Sequence, residues 1–375
     1  MKEPIRVLHI LQRMEAGGTQ ALLMNIFRNM DRDKVQFDFL VEYPDKQFYD
    51  DEILKLGGKI YYSNVRNDFN ILKFIKKLKK IIKENNYKIV HVHTYSIGYF
   101  CLKAAKECQV PIRIAHSHNN ETVHDFKYLP KLLLQKIYTI YANYLFACSK
   151  EAGRYLFKNK EFEVLNNAID SKKFIYNEDI RKNMRKTLGL EDSFVVGHVG
   201  RFHPQKNHKF LINIFSKIKE KKDNSKLLLI GSGELEDDIK KQVKELSLQD
   251  DVIFLGNRKD INDLYQCMDV FLFPSLFEGL GIVAIEAQAS GTPIVCSNML
   301  PKETEVSDIY IKLDLKKPAE EWAEKVIDIA NRNQVKQNLQ QNIIDAGFDL
   351  SSTVKMLQNF YLEAYQRSME RENEN

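Results

Sequence analysis

The sequence predicts an α/β protein made of two doubly wound domains. Short apolar runs that can form strands alternate with segments whose apolar residues recur every three or four positions, as in helices. The alternation is present in both halves of the chain and is typical of parallel sheets covered by helices on both faces. A chain of 375 residues is also too long for a single compact core, so two domains are expected.

The first half supplies the strands and helices of one sheet. Residues 5–11 form a continuous apolar run, and residues 35–41 alternate before they close as a strand. Between them, residues 19–30 have helical spacing after the pair Gly17-Gly18. The remaining strands of this half are predicted at 59–62, 89–93, 113–116, 144–148 and 163–165.

The second half repeats this plan. Its strands are predicted at 194–200, 226–230, 252–255, 270–273 and 293–296. Polar and charged residues dominate 170–191, so the linker is expected there. We therefore expect domains at 1–175 and 176–350, followed at 351–375 by a helix that can pack back on the first domain.

Composition is typical of a cytoplasmic protein. The five cysteines have neither metal-type nor redox spacing, which favours reduced thiols. Residues 1–6 lead straight into the first strand, so no signal peptide is expected. No stretch approaches the roughly 18 apolar residues that a membrane span needs.

Positive charge is concentrated in the first half of the chain. Residues 1–180 contain 29 Lys and Arg against 21 Asp and Glu, and six lysines fall within 71–83. Leu72, Ile75, Leu78 and Ile82 give that segment a helical apolar stripe. A plain surface helix and a helix that contacts an anionic membrane both fit this pattern. Nucleic acid is not expected as a partner, since no matching motif accompanies the lysines.

The segment 277–287 is the most informative part of the sequence. Glu278 and Glu286 stand eight positions apart around a Gly-Leu-Gly turn that opens an apolar helix. Glycines allow close approach of a ligand, and a helix start suits a phosphate. Glu286, over a turn into the helix, can reach a sugar diol beyond that phosphate. The segment is therefore interpreted as a cradle for a nucleotide sugar, although a purely structural turn stays open.

Three further stretches can contact a ligand. Arg201 and Lys206 follow a strand and offer a guanidinium fork and a mobile charge for a diphosphate. Gly17-Gly18 and Gly231-Ser-Gly233 each follow a strand, but such turns are common in any protein. For Lys206 taken alone, a solvated basic loop is the ordinary alternative.

Four histidines mark the ends of two successive strands. His91 and His93 alternate on one strand, while His116 and His118 end the next, so one sheet edge should collect them. A metal site is not expected, because no Asp, Glu or Cys stands at ligand spacing. His116 is our candidate for contact with a sugar hydroxyl or for supporting the reacting centre, although a histidine merely satisfied inside the sheet edge remains an alternative.

The ordered set of these segments, with Asn167-Ala-Ile-Asp170, Pro274-Ser275 and Gly291-Thr-Pro293, resembles the retaining GT-B glycosyltransferases of family 4 over nearly the whole chain. The sequence is especially similar to bacterial enzymes that build capsular or exopolysaccharide units on a lipid carrier. The resemblance implies two Rossmann-like domains facing across a cleft. It implies hexosyl transfer from a nucleotide diphosphate sugar, with UDP the commonest nucleotide, to a glycan or lipid-linked acceptor at the inner face of the plasma membrane. Neither a metal nor a cofactor is implied.

The resemblance also assigns roles to residues. Arg201 and Lys206 would bind the diphosphate, Glu278 with Leu280 and Gly281 the sugar or phosphate, and Glu286 the ribose. The further implied contacts are Gly17 and Gly18 over the diphosphate, His116 at the sugar and Arg258 near the base. Catalysis would thus fall to Glu278, His116, Arg201 and Lys206. Gln20 and Ala168 depart from the family pattern, which leaves the acceptor contacts and one turn in doubt.

Two other functions share parts of this pattern. A nucleotide-sugar 2-epimerase has the same two-lobed plan but needs no acceptor. An inactive sugar-binding partner subunit would be expected to lack one of the phosphate or carboxylate positions, and all of them are present here.

Overall fold

The computed structural model describes residues 3–15, 18–95, 97–118, 137–333 and 335–373. The chain divides into two compact units. Unit 1 comprises Met1–Ala168 together with Leu350–Asn375, and unit 2 comprises Ile169–Asp349. The division therefore lies at Ala168, rather than after residue 175, and the C-terminal segment belongs to unit 1.

Unit 1 contains a sheet of seven parallel strands in the order β3-β2-β1-β4-β5-β6-β7. The strands are β1 Ile5–Leu11, β2 Val35–Val41, β3 Ile60–Tyr62, β4 Ile89–Val92, β5 Ile112–Ser117, β6 Tyr144–Ala147 and β7 Glu163–Val164. Its described helices are α1 Gly18–Asn29, α2 Asp50–Lys55, α3 Val65–Asp68, α4 Ile71–Glu84, α5 Gly98–Glu107, α6 Lys150–Phe157 and, at the end of the chain, Leu350–Asn373. The predicted doubly wound plan is confirmed for this unit.

The C-terminal helix completes the core on one face of this sheet. Leu350, Val354, Leu357 and Tyr361 are buried there in one cluster with side chains from β1, β2 and α1. Their spacing of three and four residues presents a single apolar stripe to the sheet. Unit 1 is thus built from both ends of the chain.

Unit 2 contains a sheet of six parallel strands in the order β10-β9-β8-β11-β12-β13. The strands are β8 Phe194–Val199, β9 Ser225–Ile230, β10 Val252–Gly256, β11 Val270–Phe273, β12 Ile294–Ser297 and β13 Tyr310–Leu313. The sequence analysis did not predict β13. Its four residues include Lys312 and lie at the edge of the sheet, so the apolar run is too short to stand out.

The helices of unit 2 precede, connect or follow these strands. They are α7 Glu178–Leu188, α8 His208–Lys221, α9 Glu236–Glu245, α10 Ile261–Cys267, α11 Ile282–Ala289, α12 Ala319–Arg332 and α13 Gln340–Asp345, and we number the C-terminal helix α14.

The prediction of a linker at 170–191 was wrong, because α7 occupies that segment. Asn177 caps the helix through its side chain, and Gly189 ends it in the left-handed region with φ of 65°. Arg185 is buried and donates to the carbonyl oxygens of Leu190 and Cys267, each at 3.1 Å. The arginines of this segment therefore anchor the helix, whereas their charge had suggested an exposed linker.

Helix α4 follows the predicted 71–83 segment, with a different apolar stripe. Phe74, Leu78, Ile81 and Ile82 are its buried residues. Leu72 was expected on the buried stripe, but 81% of its surface is exposed. Within the part of the chain that the structure describes, no helix is both long enough and apolar enough to cross a bilayer.

Candidate functional site

The strand order of unit 2 defines where a ligand can bind. Strands β8 and β11 are neighbours at the centre of the sheet. The chain continues from β8 to β9 toward one edge of the sheet and from β11 to β12 toward the other edge. In open parallel sheets, ligands bind outside the carboxyl ends of the strands at such a switch point. The loop after β8 carries Lys206, and the loop after β11 carries Glu278 and Gly281.

The turn after β11 leaves the start of α11 open. Gly281 is the N-cap residue with φ of 78°, a backbone conformation that residues with a Cβ rarely adopt. As a glycine it brings no side chain that could cap the helix. The first N–H groups of any α-helix lack partners within the helix, so an anion can bind them.

Hydrogen bonds join the loops that follow β8 and β11. The backbone oxygen of Gln205 accepts from the N–H of Leu276 at 2.8 Å, and the Gln205 amide donates to the oxygen of Phe277 at 2.9 Å. Asn207 donates to the oxygen of Pro274 at 3.2 Å. These bonds hold Lys206 beside the turn that precedes α11.

Lys206 and Glu278 form an ion pair at this position. The Nζ–Oε1 distance is 2.6 Å, and the side chains are 16% and 6% exposed. Nζ also lies 4.8 Å from the centre of the Phe273 ring, within the range of a cation–π contact. The sequence analysis gave the two residues separate roles, and the structure places them in direct contact.

Arg201 lies at the exposed edge of the same loop. Its side chain is 70% exposed and pairs with Glu234 at 3.2 Å. The glycines near Glu234 serve packing: a Cβ on Gly231 would lie 2.2 Å from the oxygen of Gly200, and one on Gly233 would lie 2.5 Å from the oxygen of Phe202. The Gly-Ser-Gly turn thus lets the loops after β8 and β9 touch.

Arg258 follows β10, two strands away from β8. It donates two hydrogen bonds to Asp260, at 2.8 and 2.6 Å, and both residues lie on the same loop. The described contacts of its guanidinium therefore fix Arg258 along its own loop and do not join it to Lys206 or Glu286.

Glu286 lies on the second turn of α11, and a residue of α10 contacts its carboxylate. The Tyr265 hydroxyl donates to its Oε2 at 3.1 Å. Burial raises the pKa of Glu286 to about 7, whereas the hydrogen bond from Tyr265 acts in the opposite direction. The Leu280 side chain is buried just before the helix, so only the backbone of Leu280 can contact a ligand at the surface.

Unit 1 gathers histidines at the carboxyl edge of its three central strands. We call His9, His91, His93, His116 and His118 the histidine cluster. They lie in or just after β1, β4 and β5, which are adjacent in the sheet, and His116 stacks on His118 with ring centres 4.0 Å apart. The prediction that two strand ends would bring four histidines together is confirmed, and His9 joins them from β1.

The histidine cluster is uncharged at neutral pH. Burial lowers the pKa of His9 and His118 to about 3 and lowers the pKa of His91, His93 and His116 well below the ordinary value. Each ring therefore carries one proton and can donate from one nitrogen while it accepts at the other.

Two triplets within this cluster have nitrogens close enough to share an ion. They are His9 with His91 and His93, and His93 with His116 and His118, with ligand atoms within 4.8 Å of one another. Most of these nitrogens already face each other in His–His hydrogen bonds, with N···N distances of 2.8 to 3.1 Å. An ion between two such nitrogens would have to push the rings apart, because a Zn–N bond alone takes about 2 Å.

Only one residue of the glycine pair after β1 is among the described residues. Gly17 lies outside the described residues. Gly18 begins α1, and a Cβ placed on it would meet no atom within 4 Å.

Two parallel-sheet units with this strand order, and an open helix start at the switch point of the second, are the architecture of GT-B glycosyltransferases. Two family models match the chain: "Glycosyltransferase Family 4" over residues 16–173 and "Glycosyl transferases group 1" over residues 179–347. The protein belongs to the family 4 glycosyltransferases.

Relatives of full length support this assignment. EpsF of Bacillus subtilis, which is named as a glycosyltransferase, is 36% identical over 95% of this chain and 96% of its own. An Escherichia coli UDP-Gal:α-D-GlcNAc-diphosphoundecaprenol α-1,3-galactosyltransferase is 25% identical over 96% and 97%. Among solved structures, Anabaena HepE in complex with UDP matches 96% of this chain and all of its own with a TM-score of 0.80, at 18% identity. HepE with UDP-glucose matches 96% and 99% with a TM-score of 0.76, also at 18% identity.

Several side chains around these residues were not found from the sequence. Glu234 and Tyr265 hold Arg201 and Glu286, and Tyr361 hydrogen-bonds to His91 across a separation of 270 residues. Contacts between distant positions leave no local pattern. For Tyr265 and Tyr361 the only signal was an apolar helical stripe, which is typical of any core.

Proposed function

We propose that the protein transfers a hexosyl group, with retention of anomeric configuration, from a UDP-sugar to a glycan or lipid-linked acceptor in cell-surface polysaccharide synthesis. In this reaction the bond between the anomeric carbon and the β-phosphate oxygen breaks. The acceptor oxygen bonds to that carbon from the same face, and its proton passes to the departing phosphate. The products are UDP and the glycoside.

The observation that carries this proposal is the open start of α11 flanked by Lys206 and Glu286. The uncapped N–H groups and the lysine charge support binding of a diphosphate, and the carboxylate of Glu286 on the next turn supports a hydrogen bond from the ribose diol. In the Lys206–Glu278 ion pair, the carboxylate lies next to the cation. The resemblance to family 4 implies that Glu278 contacts the donor sugar.

UDP is proposed as the nucleotide because HepE is solved with UDP and with UDP-glucose. A lipid-linked acceptor is proposed because the Escherichia coli relative is named for transfer to a diphosphoundecaprenol-linked sugar. His116 is proposed to contact the sugar, as the resemblance to family 4 implies.

We further propose that transfer needs no metal ion. Charge develops on the departing diphosphate, and fixed cations with oriented N–H groups can stabilise it without reorganisation. Arg201, Lys206 and the start of α11 would supply these groups.

The proposal is tested by thermal stabilisation with UDP-, GDP- and ADP-sugars, because a specific ligand raises the melting temperature. The stabilising donor is then assayed for transfer to lipid-linked acceptors, with and without EDTA, and the product anomer is determined by NMR. Acceptor-dependent, EDTA-resistant transfer with retention is expected. Conversion of the donor to a new sugar nucleotide without acceptor would indicate a 2-epimerase and contradict the proposal.

Gly279 offers a test of the cradle that leaves the fold intact. A Cβ on Gly279 would meet no protein atom within 4 Å, and its φ is not positive. Gly279→Ala should therefore leave the melting temperature unchanged. If a donor passes against this backbone, the added methyl group should weaken UDP-sugar affinity about 10-fold, measured by calorimetry.

Unchanged donor affinity in Gly279→Ala would place the ligand away from this turn. Gly189→Ala serves as a control at a distant turn of the same unit, where a Cβ also meets no atom within 4 Å but φ is 65°. That variant should lower stability slightly and leave donor affinity unchanged.

We also propose that α4 contacts anionic lipid. We call its outward lysines Lys73, Lys76, Lys77, Lys80 and Lys83 the basic face, and all five are exposed. Beside them, Phe69 and Leu72 are 69% and 81% exposed. Exposed apolar side chains next to lysines suit insertion at a lipid headgroup region, where each nearby charge contributes about 1 kcal/mol.

Vesicle flotation tests this contact. The protein should float with vesicles containing phosphatidylglycerol at low salt, and serine at all five positions of the basic face should lower binding at least 10-fold. As a control, serine replaces five exposed lysines of unit 2: Lys209, Lys221, Lys240, Lys241 and Lys244. Equal loss in both variants would show that net charge, and not this face, governs binding.

A further inference from the structure

Both cations that the proposed function assigns to the diphosphate are paired with carboxylates. Lys206 pairs with Glu278 at 2.6 Å, and Arg201 pairs with Glu234 at 3.2 Å. The first pair is largely buried, with side chains 16% and 6% exposed, whereas the side chains of the second are 70% and 47% exposed. Water and salt screen an exposed pair but screen a buried pair far less. Glu278 therefore influences its lysine much more strongly than Glu234 influences its arginine.

The Glu278 side chain lies beside the open start of α11. A Cβ placed on Gly281 would lie 3.5 Å from the Cγ atom of Glu278. The residues on either side of Lys206 are hydrogen-bonded to the loop after β11, so the backbone at Lys206 is fixed and only its side chain can turn. An anion at the start of this helix therefore lies close to both members of the buried pair.

A diphosphate at this position and the Glu278 carboxylate attract the same ammonium group. As Lys206 turns towards a phosphate oxygen, its bond to Glu278 weakens. A buried carboxylate that loses its cation is strongly destabilised unless hydrogen-bond donors replace the cation. The hydroxyl groups of a donor sugar are such donors, and hydrogen bonds to an ionised carboxylate are strong. UDP alone brings no hexosyl hydroxyl group to Glu278.

We infer that Glu278 competes with the diphosphate for Lys206, and that this competition weakens the binding of the product UDP relative to the binding of a UDP-sugar. The inference rests on the proposed function, which supplies the ligand and its position. No covalent step is involved: Lys206 exchanges one anionic partner for another and returns to Glu278 when UDP leaves. Glu278 thereby favours product release, in addition to the sugar contact that the resemblance implies.

Calorimetry with UDP at about 0.15 M salt tests the competition. Glu278→Gln keeps the size of the side chain, removes its charge and leaves an amide oxygen that can accept from Lys206. UDP should bind this variant about 10-fold more tightly than wild type, since the carboxylate no longer competes. The UDP-sugar that stabilises the wild-type protein should gain less, because its hydroxyl groups lose a charged acceptor. A UDP affinity no higher than that of wild type would overturn the inference.

Glu234→Gln is the matched control, because it removes the same charge from the exposed pair. It should change UDP affinity by less than about 3-fold, as expected for an ion pair in contact with water. An increase as large as that of Glu278→Gln would show that the total charge around the site, and not the buried pair, limits UDP binding. That result would contradict the competition for Lys206.

NMR of ¹³C-labelled glutamate carboxylates provides a second readout. The Glu278 signal is assigned with Glu278→Asp, which retains the charge that Lys206 balances. In the wild-type protein this signal should shift when UDP is added, because the lysine is drawn away from the carboxylate. An unchanged Glu278 signal in the UDP complex would mean that the pair stays intact, and the inference would be wrong.

Failure of the proposed function gives a different result. If wild-type protein binds neither UDP nor a UDP-sugar, the proposed function and this inference fail together. If wild type binds UDP but Glu278→Gln binds it no more tightly, the competition is absent and the proposed function stands.

Discussion

Replacing Lys206 with alanine is expected to lower turnover of the nucleotide sugar at least 100-fold. The lysine charge lies in partly buried surroundings beside the turn that is proposed to bind the departing diphosphate. Loss of one preorganised group that stabilises developing charge typically costs two to three decades in rate. Arg201→Ala, predicted from the sequence to have a similar effect, is tested alongside by initial rates at saturating donor.

Lys206→Ala also leaves the Glu278 carboxylate buried without its cation, which itself destabilises the fold. The double variant Lys206→Ala/Glu278→Gln removes this charge and should recover the melting temperature without recovering turnover. Lys219→Ala/Lys226→Ala is the control, since it removes both lysines that pair with Asp251, at 3.0 and 2.9 Å, near the opposite edge of the same sheet. Near-normal turnover by both Lys206→Ala and Arg201→Ala would refute the proposed phosphate site.

Deleting residues 350–375 should prevent unit 1 from folding. The deletion removes Leu350, Val354, Leu357 and Tyr361 from the core of that unit. Burial of each such side chain contributes roughly 1.5–3 kcal/mol, and the sum is comparable with the 5–15 kcal/mol that stabilises a typical domain. Limited proteolysis with mass spectrometry should show cleavage throughout residues 1–168 and protection of unit 2.

A shorter deletion separates this effect from loss of the tail alone. Removing residues 370–375 leaves Leu350, Val354, Leu357 and Tyr361 in place and should not change the melting temperature. Protease resistance of residues 1–168 after the long deletion would contradict the packing described for α14.

The sequence predicted most strands because their apolar runs are uninterrupted. Residues 5–11 and 35–41 coincide with β1 and β2, and the motif around Glu278 and Gly281 lies at a strand-to-helix turn as expected. These features depend on local spacing and on glycine conformation, which a sequence records directly. The order of the segments added the resemblance to a family, and the family models confirm that family.

The features that could not be predicted from the sequence depend on contacts between distant residues or on charged side chains that are paired within the fold. Segment 170–191 was predicted as a linker because polar and charged residues dominate it, whereas Arg181 and Arg185 in this segment both pair with Asp269. The direct contact of Lys206 with Glu278 and the bond from Tyr361 to His91 join residues 72 and 270 positions apart. Such pairs follow from tertiary packing, for which one sequence contains no periodic signal.

The discontinuous make-up of unit 1 has a consequence for biosynthesis. Unit 2 is one uninterrupted stretch, Ile169–Asp349, and all of it is synthesised before the last segment of unit 1. The earlier-translated unit has to wait with an incomplete apolar face until Leu350 and the residues after it emerge. Unit 1 therefore cannot complete its core before unit 2 has been synthesised in full, and its incomplete apolar face is the part of the nascent chain that chaperones would need to shield.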